Sequence, residues 1–276
     1  MAQKLGSPRT TKFSIGTAEL RIGRLQDALV LTQSHSVGLI DNATVEVTQE
    51  SVDLEGGFPK VLVDTAVVSQ TSNITATMRE YSRRNLNILL GEGVVDVGSE
   101  PADVATTVDS AGSATDTSIS VASETGFSDS DVIVVYGSTD ATLAQVQVLK
   151  VSTTAAGTLT LDADTPLFFD IAVGDHVYLA NQVAIGAITE TNYFSCQLLQ
   201  LERSTGRPIG FTFWKGSIGA GMTFTTNAED FASTELNIKL LQPAATEYAT
   251  VSDPLYDARD LIPSHPTGLY FGGGDA

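Results

Sequence analysis

The sequence predicts a mainly β protein, a sandwich or barrel core with one packed α-helix, into which a second, small all-β domain is inserted. Three observations predict it. Val, Thr, Ile and Phe are abundant while Gly, Ser, Asn and Asp break the chain at short intervals, the punctuation of strands joined by turns. One stretch alone, "TATMREYSRRNLNILLGEG", carries a helical pattern. From about Glu100 to Val183 the composition shifts to Ala, Ser, Thr and Asp, after which the parent pattern resumes. The domain limits read from this are 1–98 with 184–276 for the core and 99–183 for the insert.

The first element of note is "TVEVTQESVDLEGGFPKVLVD", residues 44–64. Val45 and Val47 are apolar at odd positions, whereas after Gln49 and Glu50 the apolar members are Val52 and Leu54, at even positions. Neighbouring side chains of a strand point to opposite faces, so this switch requires a bulge, a twist, or a hairpin that leaves its parent sheet. The helix is expected to begin at Thr77, three residues before Glu80 in a capping-box spacing, and to end at Gly91. Its apolar face is Met78, Tyr81, Leu86, Ile88, Leu89 and Leu90; Glu80, Arg83, Arg84 and Asn87 share the opposite face.

The insert holds one basic residue, Lys150, against twelve acids, a net charge of −11 that leaves −7 for the rest of the chain. Two related phrases in it, "GFSDSDVIVVYG" and "DIAVGDHVYLAN", each lead from a polar turn into a short β run. With "TDTSISVAS", "LAQVQVLKVS" and "GTLTLDADTPL" they predict an independent small barrel or sandwich. Beyond it, "NYFSCQLLQLERSTGRPIGFTFWKG" reads as two strands about a turn, and "GAGMTFTTNAEDFASTELNIKLLQP" as two more. In the last strand Leu236, Ile238 and Leu240 alternate with Glu235, Asn237 and Lys239, one dry face and one wet. The tail from Ser252, with Pro254, Pro263, Pro266 and Gly272 to Gly274, is expected to be an extended or disordered arm, matched by an arm at the N-terminus.

The residues offer no catalytic constellation. His35, His176 and His265 lie in separate segments without ligand spacing. The carboxylate pairs Asp129 with Asp131 and Asp162 with Asp164 stand outside any calcium-loop pattern and read as solvated turn residues. "KGSIGAGM" lacks the order of a phosphate or dinucleotide loop, Ser217 lacks nucleophile-elbow context, and the sequons at Asn42 and Asn73 are chance matches in a chain read as non-secreted. A glycosidase built on two carboxylates stays open, since acids are many, yet no pair is placed. Catalytic residues, metal ligands and cofactors are therefore expected to be none. Cys196 is the one cysteine and reads as a small core residue. Lys4, Arg9 and Lys12 precede no apolar stretch, and no run approaches the roughly 20 residues of a membrane helix, so a soluble protein made in a reducing cytosol is expected. The net charge of −18 argues against a surface that grips nucleic acid, though not against one past which DNA slides.

Residues 37–91, "VGLIDNATVEVTQESVDLEGGFPKVLVDTAVVSQTSNITATMREYSRRNLNILLG", resemble the first half of tailed-bacteriophage tail tube proteins. The resemblance is carried by the Val-Gly-Leu start, the strand rich in Val and Glu, the Gly-Gly and Pro-Lys loop and the helix ending Leu-Leu-Gly, in that order. Residues 193–242, with "FTFWKGSIG" and "STELNIKLLQP", resemble the second half. The likeness covers roughly 15–98 and 184–250; the insert departs from it and is similar to accessory β modules of phage structural proteins.

The resemblance implies hexameric rings that stack into a tube for genome passage, each subunit lending strands to a continuous inner barrel. Glu46, Thr48, Glu50 and Glu202 would then face the lumen, while Leu54, Gly56, Gly57, Phe58, Pro59, Lys60, Arg83 and Arg84 would meet neighbouring subunits or rings. It implies as partners further copies of the chain, tail sheath, tape measure, baseplate or tail-tip and terminator proteins, with DNA passing unbound and no membrane anchor. The place it implies is the virion tail, assembled in the host bacterial cytoplasm, with the insert on the outer surface. Two alternatives stand beside it: the tube of a bacterial contractile injection or secretion system, and a carbohydrate-binding β module of a phage adhesin, against which the single Trp214 counts.

Overall fold

The computed structural model describes residues 18–58, 60–90, 103–137, 145–183, 191–202, 206–218 and 233–272. The chain divides into two compact units, Met1–Ser99 with Ala184–Ala276, and Glu100–Val183. Both are built from antiparallel strands, and the protein is mainly β.

In the first unit the strands are β1 (Glu19–Gly23), β2 (Ile40–Gly56), β3 (Val61–Met78), β10 (Phe194–Leu201), β11 (Pro208–Ile218), β12 (Thr234–Leu241) and β13 (Gly268–Phe271). They form one sheet in the order β1-β10-β11-β12-β3-β2, with β13 on β11 beside β12. Sequence before and after the insert is thus interleaved. Leu20, Ile22, Ile74 and Met78 share one core with Phe194, Cys196, Phe213 and Ile238. The dry face expected for β12 is observed: Leu236, Ile238 and Leu240 are buried.

The helix, α1 (Arg83–Leu89), is shorter than the sequence led us to expect. Thr77 is no cap. It lies within β3 opposite Glu235, because the stretch from Thr71 to Thr77, rich in β-branched Thr and Ile, continues a strand held by β12. The cap is Ser82, whose side chain accepts the Asn85 N–H at 3.1 Å. Gly91 lies outside the described residues.

The C-terminal segment corrects the expectation of an arm. From Ser252 it makes a short 3-10 turn at Tyr256–Ala258 and then β13, and it buries Leu255, Ala258 and Ile262 around Trp214 and Ala28. The Trp214 Nε1–H donates to the His265 carbonyl at 2.6 Å. Residues 1–17 and 273–276, where the remaining arm expectations fall, lie outside the described residues, as does the first strand expected within 219–232.

In the second unit β4 (Ala105–Thr107), β5 (Ser118–Ser120), β6 (Val132–Tyr136), β7 (Val146–Ala155), β8 (Thr158–Leu161) and β9 (His176–Leu179) pair in the order β4-β9-β6-β7-β8-β5. A bridge between Val108 and Val121 joins the two end strands, and the Ala122 N–H donates to the Thr107 carbonyl at 2.9 Å. The sheet therefore closes into a six-stranded barrel around Ile133, Leu149, Val151, Leu159 and Val177, a core of its own.

Candidate functional site

The candidate site is an interface, the hairpin of β2 and β3. Its strands have 17 and 18 residues, about 55 Å of chain at ordinary strand rise. β12 accompanies β3 only from Met78 to Ser72; beyond that β3 pairs with β2 alone, and among the described residues the outer edge of β2 has no neighbour. The hairpin thus leaves its parent sheet as a two-stranded ribbon. Such a ribbon is marginal by itself in water.

The predicted face switch coincides with a register shift. Glu50 pairs with Ser69 and Ser51 with Val67, which leaves Val68 as an extra residue on β3. A second shift, between Leu54 opposite Asp64 and Glu55 opposite Leu62, leaves Val63 extra. β2 has its own extra residue between Ile40 and Ala43 but is regular from Ala43 to Leu54, so Glu46, Thr48, Glu50, Val52 and Leu54 follow one another on one face, polar at the base and apolar towards the tip. Opposite them stand Asn73, Thr71 and Ser69, then Ala66 and Asp64. The Ser69 hydroxyl donates to Glu50 Oε2 at 2.9 Å, holding that carboxylate across the ribbon.

Sheet register extends the polar base sideways. Glu46 stands opposite Asn73 and Asn73 opposite Lys239, while Thr77 stands opposite Glu235. The sequence had shown the wet face of β12 but not its continuity with Glu46. The face carries three acids, Glu46, Glu50 and Glu235, and one base, Lys239.

The distal half exposes Val52, Leu54, Phe58, Val61, Leu62, Val63, Val67 and Val68. The exposure of Val61 to Val63 and of Val67 and Val68 is a feature that the sequence analysis did not single out. Their burial against a partner would release on the order of 10 kcal/mol before ordering costs. At the turn Gly57 has φ +88°, a conformation that favours glycine, and Phe58 is fully exposed beside it. Lys60 Nζ lies 3.7 Å from Glu55 Oε2 across the ribbon. Pro59 lies outside the described residues.

Two of the expected site residues change standing. Glu202 is buried, 7% exposed, where the β10–β11 turn closes on it: its N–H donates to the Arg207 carbonyl and its own carbonyl accepts from the Gly206 N–H. It is therefore removed from the lumen candidates. Arg84 is 5% exposed, and its guanidinium donates to the carbonyls of Ile22, His35 and Ser36. Its charge is spent within the subunit and it is removed from the inter-subunit candidates. Arg83, half-buried at the start of α1, remains one. The helix face that looked polar is thus an inward one, with Asn85 and Asn87 also buried and Asn85 Nδ2 donating to the Val37 carbonyl at 2.9 Å.

The candidate acids of the insert work in turns: Asp129 Oδ1 accepts the Thr154 N–H, Asp131 Oδ2 the Ser128 N–H, and Asp162 Oδ1 the Asp164 N–H. Among the described residues no group of His, Cys, Asp and Glu could hold a metal ion, and no helix is long and apolar enough to cross a membrane. On the barrel's outer face Tyr136 stacks near His176 at 5.0 Å and meets Tyr178 edge-on at 5.9 Å. No family model and no curated protein sequence matches the chain.

Proposed function

We propose that this chain is a structural subunit of a bacteriophage tail tube, assembling as hexameric rings that stack into a conduit for genome delivery. The observation that carries the reading is the β2–β3 ribbon: a strand pair too long for its own core, unpaired along β2, and apolar where it leaves the sheet. A solitary monomer would keep that surface wet and that edge open, at the cost of solubility. Head-to-tail pairing between copies covers both, and closure by rotation gives a ring while a second such contact gives an open stack.

On this reading the polar base of the ribbon lines the lumen. Glu46, Glu50 and Glu235 outnumber Lys239, and repetition around a ring multiplies the excess into a negative wall that keeps DNA mobile. Arg83, Leu54, Gly56, Gly57, Phe58, Pro59 and Lys60 belong to contacts between copies. Sheath, tape-measure, tail-tip and terminator proteins are the further partners, and the virion tail is the location.

Negative-stain electron microscopy of the purified protein over a range of concentrations is the test. Rings or hollow tubes with sixfold symmetry are expected. A monomer that stays dispersed even when seeded with preformed assemblies would overturn the reading. One observation favours a second reading: the Tyr136, His176 and Tyr178 cluster gives the insert a surface on which sugar rings could stack. Glycan-array binding by a non-assembling monomer would select it.

A further inference from the structure

A groove of about 400 Å³ lies at the other end of β2 from the hairpin tip. Ala18, Leu39, Ile40, Leu199, Leu201 and Pro208 give it its apolar lining. Leu39 and Leu201 are 58% and 61% exposed there, and with the other lining residues they form a contiguous apolar surface. Its two charged residues neutralise each other: Arg21 donates to both Glu19 carboxylate oxygens, at 2.9 and 3.2 Å, and to the Leu31 carbonyl at 3.1 Å. Gly38, with φ +84°, turns the chain into β2 at the groove wall; a side chain there would run into the Glu80 carboxylate.

We infer that this groove receives the hairpin tip of a second copy, with Phe58 as the inserted side chain. Four features point to this occupant. Phe58 is a fully exposed aromatic on a turn that its own subunit does not touch elsewhere among the described residues. The groove has room for a phenyl ring and a neighbouring aliphatic side chain such as Leu54 or Val61. Both surfaces are largely apolar: Arg21 is paired with Glu19 in the groove, Lys60 lies near Glu55 at the tip, and the exposed Asp53 and Asp64, bonded to Thr65, must stay in water when the tip docks. Finally, knob and groove sit at opposite ends of the same strand, so one copy's tip in the next copy's base is a heterologous contact that each copy can make once as donor and once as acceptor, as a repeating assembly requires. The inference rests on the head-to-tail assembly proposed above and adds the receiving surface.

Cysteine trapping tests it. Burial pushes the Cys196 thiol well above the usual thiol range and keeps it covered, so the native cysteine stays silent and the full-length chain serves as the background. Differently tagged copies carrying Phe58→Cys and Leu201→Cys are mixed and oxidised. A disulfide between unlike copies is expected, about tenfold or more above that formed with Val251→Cys, an exposed apolar site elsewhere. Phe58→Ala and Leu201→Ala are each expected to raise the concentration needed for assembly about tenfold, and the double variant no further. Equal trapping with Val251→Cys overturns the inference. So does capture of Leu201→Cys by a cysteine placed within residues 1–17 of its own chain, which would give the groove to that segment. Tubes that form without the Phe58 to Leu201 cross-link sink the groove and leave the tube reading standing. A cross-link without rings or tubes does the reverse.

Discussion

Three residues of the insert share one turn and do not share one side chain. Ser113, Ser128 and Ala172 each donate their N–H to the carboxylate of the aspartate three positions on, Asp116, Asp131 and Asp175, at 2.7–2.8 Å. The residue before each aspartate has positive φ: Thr115 at +79°, Ser130 at +72° and Gly174 at +90°. Only Gly174 adopts that conformation freely, and a β-branched residue resists it most. Thr115→Gly is therefore expected to stabilise the insert by roughly 0.5–1 kcal/mol, and Gly174→Thr to destabilise it by about 1–2 kcal/mol. Urea midpoints followed by a probe in the insert would check both; a loss of stability in Thr115→Gly would mean that the threonine side chain offsets its backbone strain. At Arg84 the issue is a buried charge held by carbonyls rather than a strained backbone. Arg84→Ala is expected to cost on the order of 2 kcal/mol in the core unit, whereas Arg83→Glu should leave stability within about 0.5 kcal/mol and impair assembly. Unchanged assembly in the second variant would take the start of α1 out of the interface.

The ribbon is the element in which local pattern and structure agree most closely. Val45 and Val47 giving way to Val52 and Leu54 called for a bulge, a twist or a hairpin leaving its sheet, and the structure has a register shift at Glu50 and Ser51 in a ribbon that leaves its sheet. The extra residue is Val68 on the other strand, which β2's own pattern could not reveal. The helix was less legible. Thr77 and Glu80 have capping-box spacing, but pairing to β12 outweighs a cap worth about 1 kcal/mol, and the carbonyls that hold Arg84 come from β1 and the segment before β2. The tail from Ser252 was illegible for the same reason: its folding depends on Trp214, some forty residues upstream, and no local period records that contact. The bulge itself can be tested. Deleting Val68 joins Val67 to Ser69 and lets the pairs at Glu50 and Ser51 continue as a regular ladder, with no core contact disturbed. The expected variant folds with an unchanged thermal midpoint, yet the distal ribbon loses its local twist and fails to assemble. Assembly at the wild-type concentration would show that the bulge does not aim the tip.

At the scale of the molecule, charge has to be reconciled with proposed task. A net charge of −18 on 276 residues works against close packing of copies, so the contacts that overcome it should be apolar and locally neutral. The groove has that character, whereas the ribbon tip offers an apolar surface that carries Asp53, Glu55 and Asp64 against Lys60, and the insert sets one Lys against twelve acids. If the polar base of the ribbon lines a channel, its charge sets how DNA moves through it. Reversing Glu46 and Glu50 together changes the wall from two acids to two bases per copy at positions that are exposed and away from the core, so assembly should survive. Tubes of Glu46→Lys/Glu50→Lys are then expected to retain short duplex DNA that wild-type tubes exclude, with retention falling steeply between about 50 and 200 mM salt as counterions compete for the phosphates. The salt dependence separates a lining charge from a scattered one. A few bases on an outer surface would bind weakly and remain accessible to nuclease, whereas DNA held inside a tube is protected along its length. Retained DNA that nuclease degrades freely would place Glu46 and Glu50 outside the channel, and no retention at low salt would mean that this face does not meet DNA.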